Sequence, residues 1–296
     1  MTRLPALLAF LVLLTAHGPA AADPVASVVF SRLADPAAGA AQPIGSYARG
    51  CAIGLRELAE TGPGWQAMRL SRGRTWGHPD TLALVADLGR AAQAAGWAGI
   101  YVGDLGQPRG GPTPTGHASH QIGLDVDIWM LPADRLTLSR AEREQISSIS
   151  VRSPDQRRVT DAFTPAHAAI LRAAASDPRV DRIFVTPPVK IELCKVARPE
   201  DTPWLQRIRP YQGHDTHFHV RLKCPADADS CIPQTPTVAE LSNGGNGCDA
   251  TLQWWVTDYL NPPPPDPNAP KPKPPRHPRE YRLSELPSRC AQVAAR

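Results

Sequence analysis

Five of the nine histidines fall in two short runs of the chain. The first run, 116–127, reads GHASHQIGLDVD and carries His117, His120, Asp125 and Asp127. The second, 213–221, reads GHDTHFHVR and carries His214, His217, His219 and Arg221. On an extended strand, residues two apart face the same side, about 6.5–7 Å from one another. His217 and His219 therefore point into one space, and so do Asp125 and Asp127. Polar groups crowded this way are costly to bury without partners. His120 stands seven residues before Asp127, too far for one straight strand to bring both to a single ion. Gly123 lets the chain turn between them, so His120 can reach over from a loop. Two such strands side by side can offer His, Asp and His to one ion.

Two neutral imidazoles and one carboxylate suit Zn²⁺, with a fourth position left for water. Such a site keeps a net charge of about +1, lowers the pKa of bound water toward ~7 and polarises a carbonyl. A histidine left beside the metal can take or return a proton. Each piece alone also fits a plainer role. A His–Asp pair can be a structural hydrogen bond, and a His-x-His pair can be a half-exposed strand face. A Ser-His-Asp arrangement through Ser119 has no GxSxG elbow to support it. His78 and His167 stand in helical contexts and His277 in a tail, and these read as structural.

The elements that must hold these residues follow from pattern. LDVDIWM (124–130) and THFHVRL (216–222) alternate as strands, with Val126, Ile128, Phe218 and Val220 opposite the polar set. GIYVG (99–103) and RIFVT (182–186) read as buried strands, the second stopped by Pro187-Pro188. Helices start at His78-Pro79-Asp80, with Leu82, Val85 and Leu88 at helical spacing, and at Thr164-Pro165. A short helix is expected over 201–208. The stretch 23–43 reads as an extended lead-in, and 107–116 as a Gly/Pro loop whose Gly110-Gly111 admits a peptide or forms a turn. The predicted fold class is α+β: a central, mainly antiparallel sheet with flanking helices and long Pro-rich loops, stapled by disulfides.

Composition narrows the rest. Proline makes up 33 of 296 residues, about twice the usual share, which excludes a mainly helical bundle. A formal charge of +4, spread along the chain, argues against nucleic acid as partner. Arg3, the apolar run 4–15 and Ala20-Ala21-Ala22 read as a secretory signal over 1–22, too short to span a membrane. No stable membrane insertion is expected once it is removed. Six cysteines in an exported chain imply disulfides, with only Cys224 and Cys231 close enough to suggest a local bridge. The domain reading is a signal peptide (1–22), a domain carrying both histidine runs (23–260), a zinc peptidase domain by the resemblance these runs bear to known zinc peptidases, and a Pro-rich tail (261–296) tied back by Cys290. The tail reads as a spacer, or as a ligand for a partner of unknown identity.

The paired histidine runs resemble the zinc-peptidase group of lysostaphin-type enzymes, D-alanyl-D-alanine metallopeptidases and hedgehog-like domains. The resemblance sharpens with GHASHQIGLDVDIW, RIFVTP, GHDTHFHVRLKCPAD, Gly45-Ser46-Tyr47 before Cys51 and the Pro-rich tail. Together, from about Ser46 to Cys290, these are similar to the penicillin-insensitive murein endopeptidases. That resemblance implies His120, Asp127 and His219 as zinc ligands and His217 as catalytic base or transition-state stabiliser. It implies His214 and His117 as residues that position water or substrate. It also implies the pairs Cys51–Cys290, Cys194–Cys248 and Cys224–Cys231. The implied reaction is hydrolysis of peptidoglycan cross-links in the periplasm, at the D-Ala to meso-diaminopimelate bond, by a zinc-activated water. Penicillins acylate a serine, and such a site has none to acylate. Asp125 is expected to orient a ligand imidazole, and Arg221, with Arg109 as the weaker candidate, to meet a substrate carboxylate or form a surface ion pair. The alternatives are a zinc D,D-carboxypeptidase and a non-catalytic cell-wall binding protein.

Overall fold

The computed structural model describes residues 22–264, 266, 270 and 274–295. The expected signal peptide and part of the Pro-rich segment lie outside the described residues. Seven strands form the main sheet, in the order Ile208–Pro210, Val180–Val185, His217–Leu222, Asp125–Trp129, Ile100–Val102, Trp65–Ala67 and Thr61–Gly62. The centre is antiparallel, and one parallel pair lies to each side of it. This is the expected α+β arrangement.

The apolar parity of the two central strands supplies the core. Val126, Ile128, Phe218 and Val220 join Leu84, Val85, Leu88, Ile170 and Leu171 in one buried cluster. The last five come from helices Pro79–Ala94 and Pro165–Ser176. Both helices open with proline, whose missing N–H costs nothing in the first turn. The His78 side chain caps the first by accepting the Asp80 N–H at 3.2 Å. Inside the second, His167 Nδ1 accepts the Thr164 N–H at 3.1 Å and Nε2 lies 2.8 Å from the Met130 carbonyl. Both histidines are therefore structural, as their context suggested.

Two expectations need correction, and a third holds with an addition. Pro187-Pro188 stops the strand but also starts helix Pro187–Lys195, because proline is tolerated at a first helical position. The stretch 23–43 is not simply extended. Ala26–Phe30 is a helix whose Ala26 and Phe30 are buried with Cys51, Ile53, Leu286, Cys290 and Val293. Gly110 and Gly111 do not admit a peptide: both are buried, and a Cβ on Gly111 would lie 2.2 Å from the Phe30 ring. The segments 26–30 and 279–293 meet in this second cluster, where Ser27 Oγ donates to the Arg279 carbonyl at 2.7 Å.

Disulfides link Cys51–Cys290, Cys194–Cys248 and Cys224–Cys231. The first closes a separation of 239 residues and ties the C-terminal helix Ser288–Ala295 to strand Arg49–Ile53. Among the described residues, no helix is long and apolar enough to cross a membrane.

Candidate metal centre

Register between the two central strands builds the site. His219 stands opposite Asp127 and Arg221 opposite Asp125, while His217 faces Trp129. Both faces of the Asp125–Trp129 strand are buried, so its two carboxylates are withdrawn from water. The 116–123 loop then folds over them. His120 adopts φ 67° and Gly123 φ 76°, two left-handed steps that reverse the chain. A Cβ on Gly123 would lie 2.4 Å from Leu55 Cδ2, so this turn requires glycine on both counts.

The Asp127 carboxylate is the hub. Its Oδ1 lies 3.1 Å from His219 Nδ1, 3.4 Å from His120 Nε2 and 3.6 Å from His217 Nε2. Its Oδ2 lies 3.1 Å from His117 Nε2. Donor atoms of His117, His120 and Asp127 fall within 4.8 Å of one another. His214 stands one layer out, its ring centroid 5.1 Å from that of His217 and 6.0 Å from that of His219.

Asp125 organises the nitrogen donors from behind. It accepts the His120 backbone N–H at 2.9 Å, His219 Nε2–H at 2.9 Å and Arg221 Nε–H at 2.8 Å. An ionised carboxylate only accepts, so His219 Nε2 is the donor and Nδ1 turns toward Asp127. Arg221 is consequently neither a surface ion pair nor free for a substrate. It is buried, its Nη1 bonds Gln234, and its guanidinium lies 4.2 Å from the Tyr47 ring centre. Arg109 is likewise committed, to the carbonyls of Asp35 and Val293.

Electrostatics follow from burial and these pairs. Burial opposes ionisation of Asp125, yet Arg221 and His219 outweigh it and hold its pKa well below the usual range. Asp127 is held low in the same way, by His217, His120 and His117 against burial. Burial lowers His120 and His217, and pushes His214 down to about 3. All three are thus neutral imidazoles at pH 7. His117 goes the other way, up to about 9, through Asp127 and, against burial, Asp104. On His219, burial is outweighed by Asp125 and Asp127 together, and its pKa rises.

The donor set fits a cation. His120 Nδ1 and Nε2, Asp127 Oδ1 and His217 Nε2 are buried and make no hydrogen bond among the described residues. Three ring nitrogens converge on one carboxylate oxygen without hydrogen-bond alignment. With Nε2–H given to Asp125, His219 Nδ1 faces that oxygen directly. A proton or a positive ion must lie between them. Two or three neutral imidazoles with one carboxylate are borderline ligands that suit Zn²⁺.

All seven expected His and Asp residues of the two runs meet in this one region, with Arg221. Asp104, Arg69, Arg72, Phe184 and Tyr211 also line it and were not foreseen. Asp104 directly follows the buried GIYVG strand, and an acid in that place was the one available signal. Tyr47 supports the arrangement from outside, its hydroxyl donating to the Leu222 carbonyl at 2.6 Å. Tyr47→Phe removes that bond while keeping the ring on Arg221. It is expected to lower stability by about 1 kcal/mol in urea unfolding and to leave metal content unchanged.

Known proteins resemble this chain over most of its length. A family model described as penicillin-insensitive murein endopeptidase matches residues 43–295. A protein of that name from Haemophilus influenzae is 42% identical over 227 residues, covering 77% of this chain and 76% of its own. One from Klebsiella pneumoniae is 38% identical over 259 residues, covering 87% and 89%. One from Salmonella newport is 39% identical over 243 residues, covering 81% and 84%. By this match over most of its length, the chain belongs to the penicillin-insensitive murein endopeptidase family.

Proposed function

We propose that this chain is an exported zinc endopeptidase that hydrolyses the D-Ala to meso-diaminopimelate cross-links of periplasmic peptidoglycan. The observation that carries the reading is Asp127 Oδ1, which makes no hydrogen bond among the described residues and is buried amid the ring nitrogens of His120, His217 and His219. His120, Asp127 and His219 would hold the metal, with His117 next to them. When bound, zinc supplies an activated water and an electrophile for the scissile carbonyl.

The chain's own residues do the remaining work. His217, neutral and half-buried in the cavity wall, offers Nε2 to the oxygen that gains charge during attack. His117 Nε2 lies between Asp127 and Asp104, 3.4 Å from Asp104 Oδ2, and can hold a proton for the leaving amine. His214, a neutral imidazole beside Phe184 and Tyr211, lines the opposite wall and orients the peptide.

The test is a mass-spectrometric digest of cross-linked muropeptides by the mature, oxidised protein. Dimers are expected to become monomers, with chelator blocking the reaction and zinc restoring it. Loss of only a terminal D-Ala would replace the reading with a D,D-carboxypeptidase. No turnover by zinc-loaded protein would leave the non-catalytic binding protein.

A further inference from the structure

A cavity of about 260 Å³ opens beside His117, Asp127 and His217, and its wall carries Arg69, Arg72, Trp129, Ser147 and Ser148. The two arginines differ in what they already hold. Arg72 Nη1 lies 3.2 Å from both oxygens of Asp104, which also binds Arg74 at 2.8 Å. Arg69 makes no ion pair among the described residues. Its guanidinium donates to the neutral Ser147 hydroxyl at 3.2 Å and stands 5.7 Å from the Trp129 ring centre. It is thereby oriented without an ion pair; Glu144, held by Ser71, acts on it only at longer range and shares that pull with Arg72.

Its backbone is also unusual. Arg69 sits at φ 55°, a left-handed conformation that residues with a Cβ disfavour, at the start of the Leu70–Arg72 turn. Buried Arg143 anchors it, its carbonyl accepting the Arg69 N–H at 3.3 Å. A strained, anchored, unpaired cation bordering a candidate site is an arrangement suited to an anionic ligand group.

The cross-link presents such an anion. The nitrogen released by hydrolysis sits on the D-centre of diaminopimelate, and the adjacent carbon bears a free carboxylate. An endopeptidase on this bond therefore needs a cation beside the leaving nitrogen, as a D,D-carboxypeptidase does. Arg221, the candidate suggested by the sequence, is already held by Asp125. We propose that Arg69 receives the carboxylate next to the scissile nitrogen, making this cavity the subsite for the leaving diaminopimelate. The assignment rests on the endopeptidase reading and names the substrate feature it selects.

The experiment compares two muropeptide dimers with the same cross-link, one with that carboxylate free and one with it amidated. With the mature, zinc-loaded enzyme, kcat/KM is expected to be about 10- to 100-fold higher for the free acid. This preference, read as a ratio, is expected to collapse toward one in Arg69→Met and to recover partly in Arg69→Lys. Equal rates on both dimers by the unmodified enzyme would overturn the assignment and leave the endopeptidase reading intact. A ratio that survives Arg69→Met would do the same. Cleavage of neither dimer would take down the reading itself and this assignment with it. The unmodified enzyme decides the question even if the variants fold poorly.

Discussion

Asp127→Asn is expected to lose both bound zinc and hydrolysis, with activity falling by roughly three orders of magnitude. Among the donors that converge at the centre, His117, His120, His217, His219 and Asp127, only the aspartate brings negative charge. Asparagine keeps the size and removes that charge. A divalent ion would then be held by imidazoles alone, in a site largely withdrawn from water, where the uncompensated charge is expensive. The same substitution spares the metal-free fold. It removes a buried carboxylate whose Oδ1 makes no hydrogen bond among the described residues. Metal content after dialysis, dimer digestion and the thermal melt of chelator-treated protein together check the prediction. Full zinc content with near-normal turnover would remove Asp127 from the centre. Loss of the metal-free fold would make it a structural residue instead.

What could be read in the sequence, and what could not, has a physical division. The alternation in 124–130 and 216–222 was legible because one parity of each strand builds the core. Val126, Ile128, Phe218 and Val220 declare the register, and the polar residues follow by default. The turn at Gly123 was legible because glycine at φ 76° leaves a local mark. The partners of Arg221 were not. A strand arginine two residues from a histidine looks open until Asp125 is found opposite it on a strand 96 residues away in the chain. Arg69 was invisible for the same reason: its value depends on Trp129 and Ser147, joined to it only by the fold. The helix at Ala26–Phe30 was missed because five residues give too little periodicity, and its stability comes from packing with Cys51 and Cys290.

Asp125→Ala is expected to be the most destabilising single change near the site, by about 3–5 kcal/mol in urea unfolding with the disulfides intact. The carboxylate is fully buried and binds three groups at once: the His120 N–H, His219 Nε2 and the Arg221 guanidinium. Alanine leaves the Arg221 charge buried without its counter-ion, and leaves two further donors unmet. The same loss frees the His219 ring to rotate and its Nδ1 to turn from Asp127. Zinc affinity is therefore expected to fall about 10- to 100-fold as well, since groups that orient metal-ligating histidines act at that scale. Asp125→Asn keeps an acceptor for one donor and should lie between the two. The pH dependence has a definite sign. The folded-state pKa of Asp125 is depressed, with Arg221 and His219 outweighing burial. Its contribution is thus fully present above the unfolded aspartate value, about 3.9, and is lost as pH falls through the folded one. The gap between the unmodified protein and Asp125→Ala should be wide at pH 7 and close in acid. A gap that stays constant down to pH 2 would mean that the loss comes from packing and not from the charge.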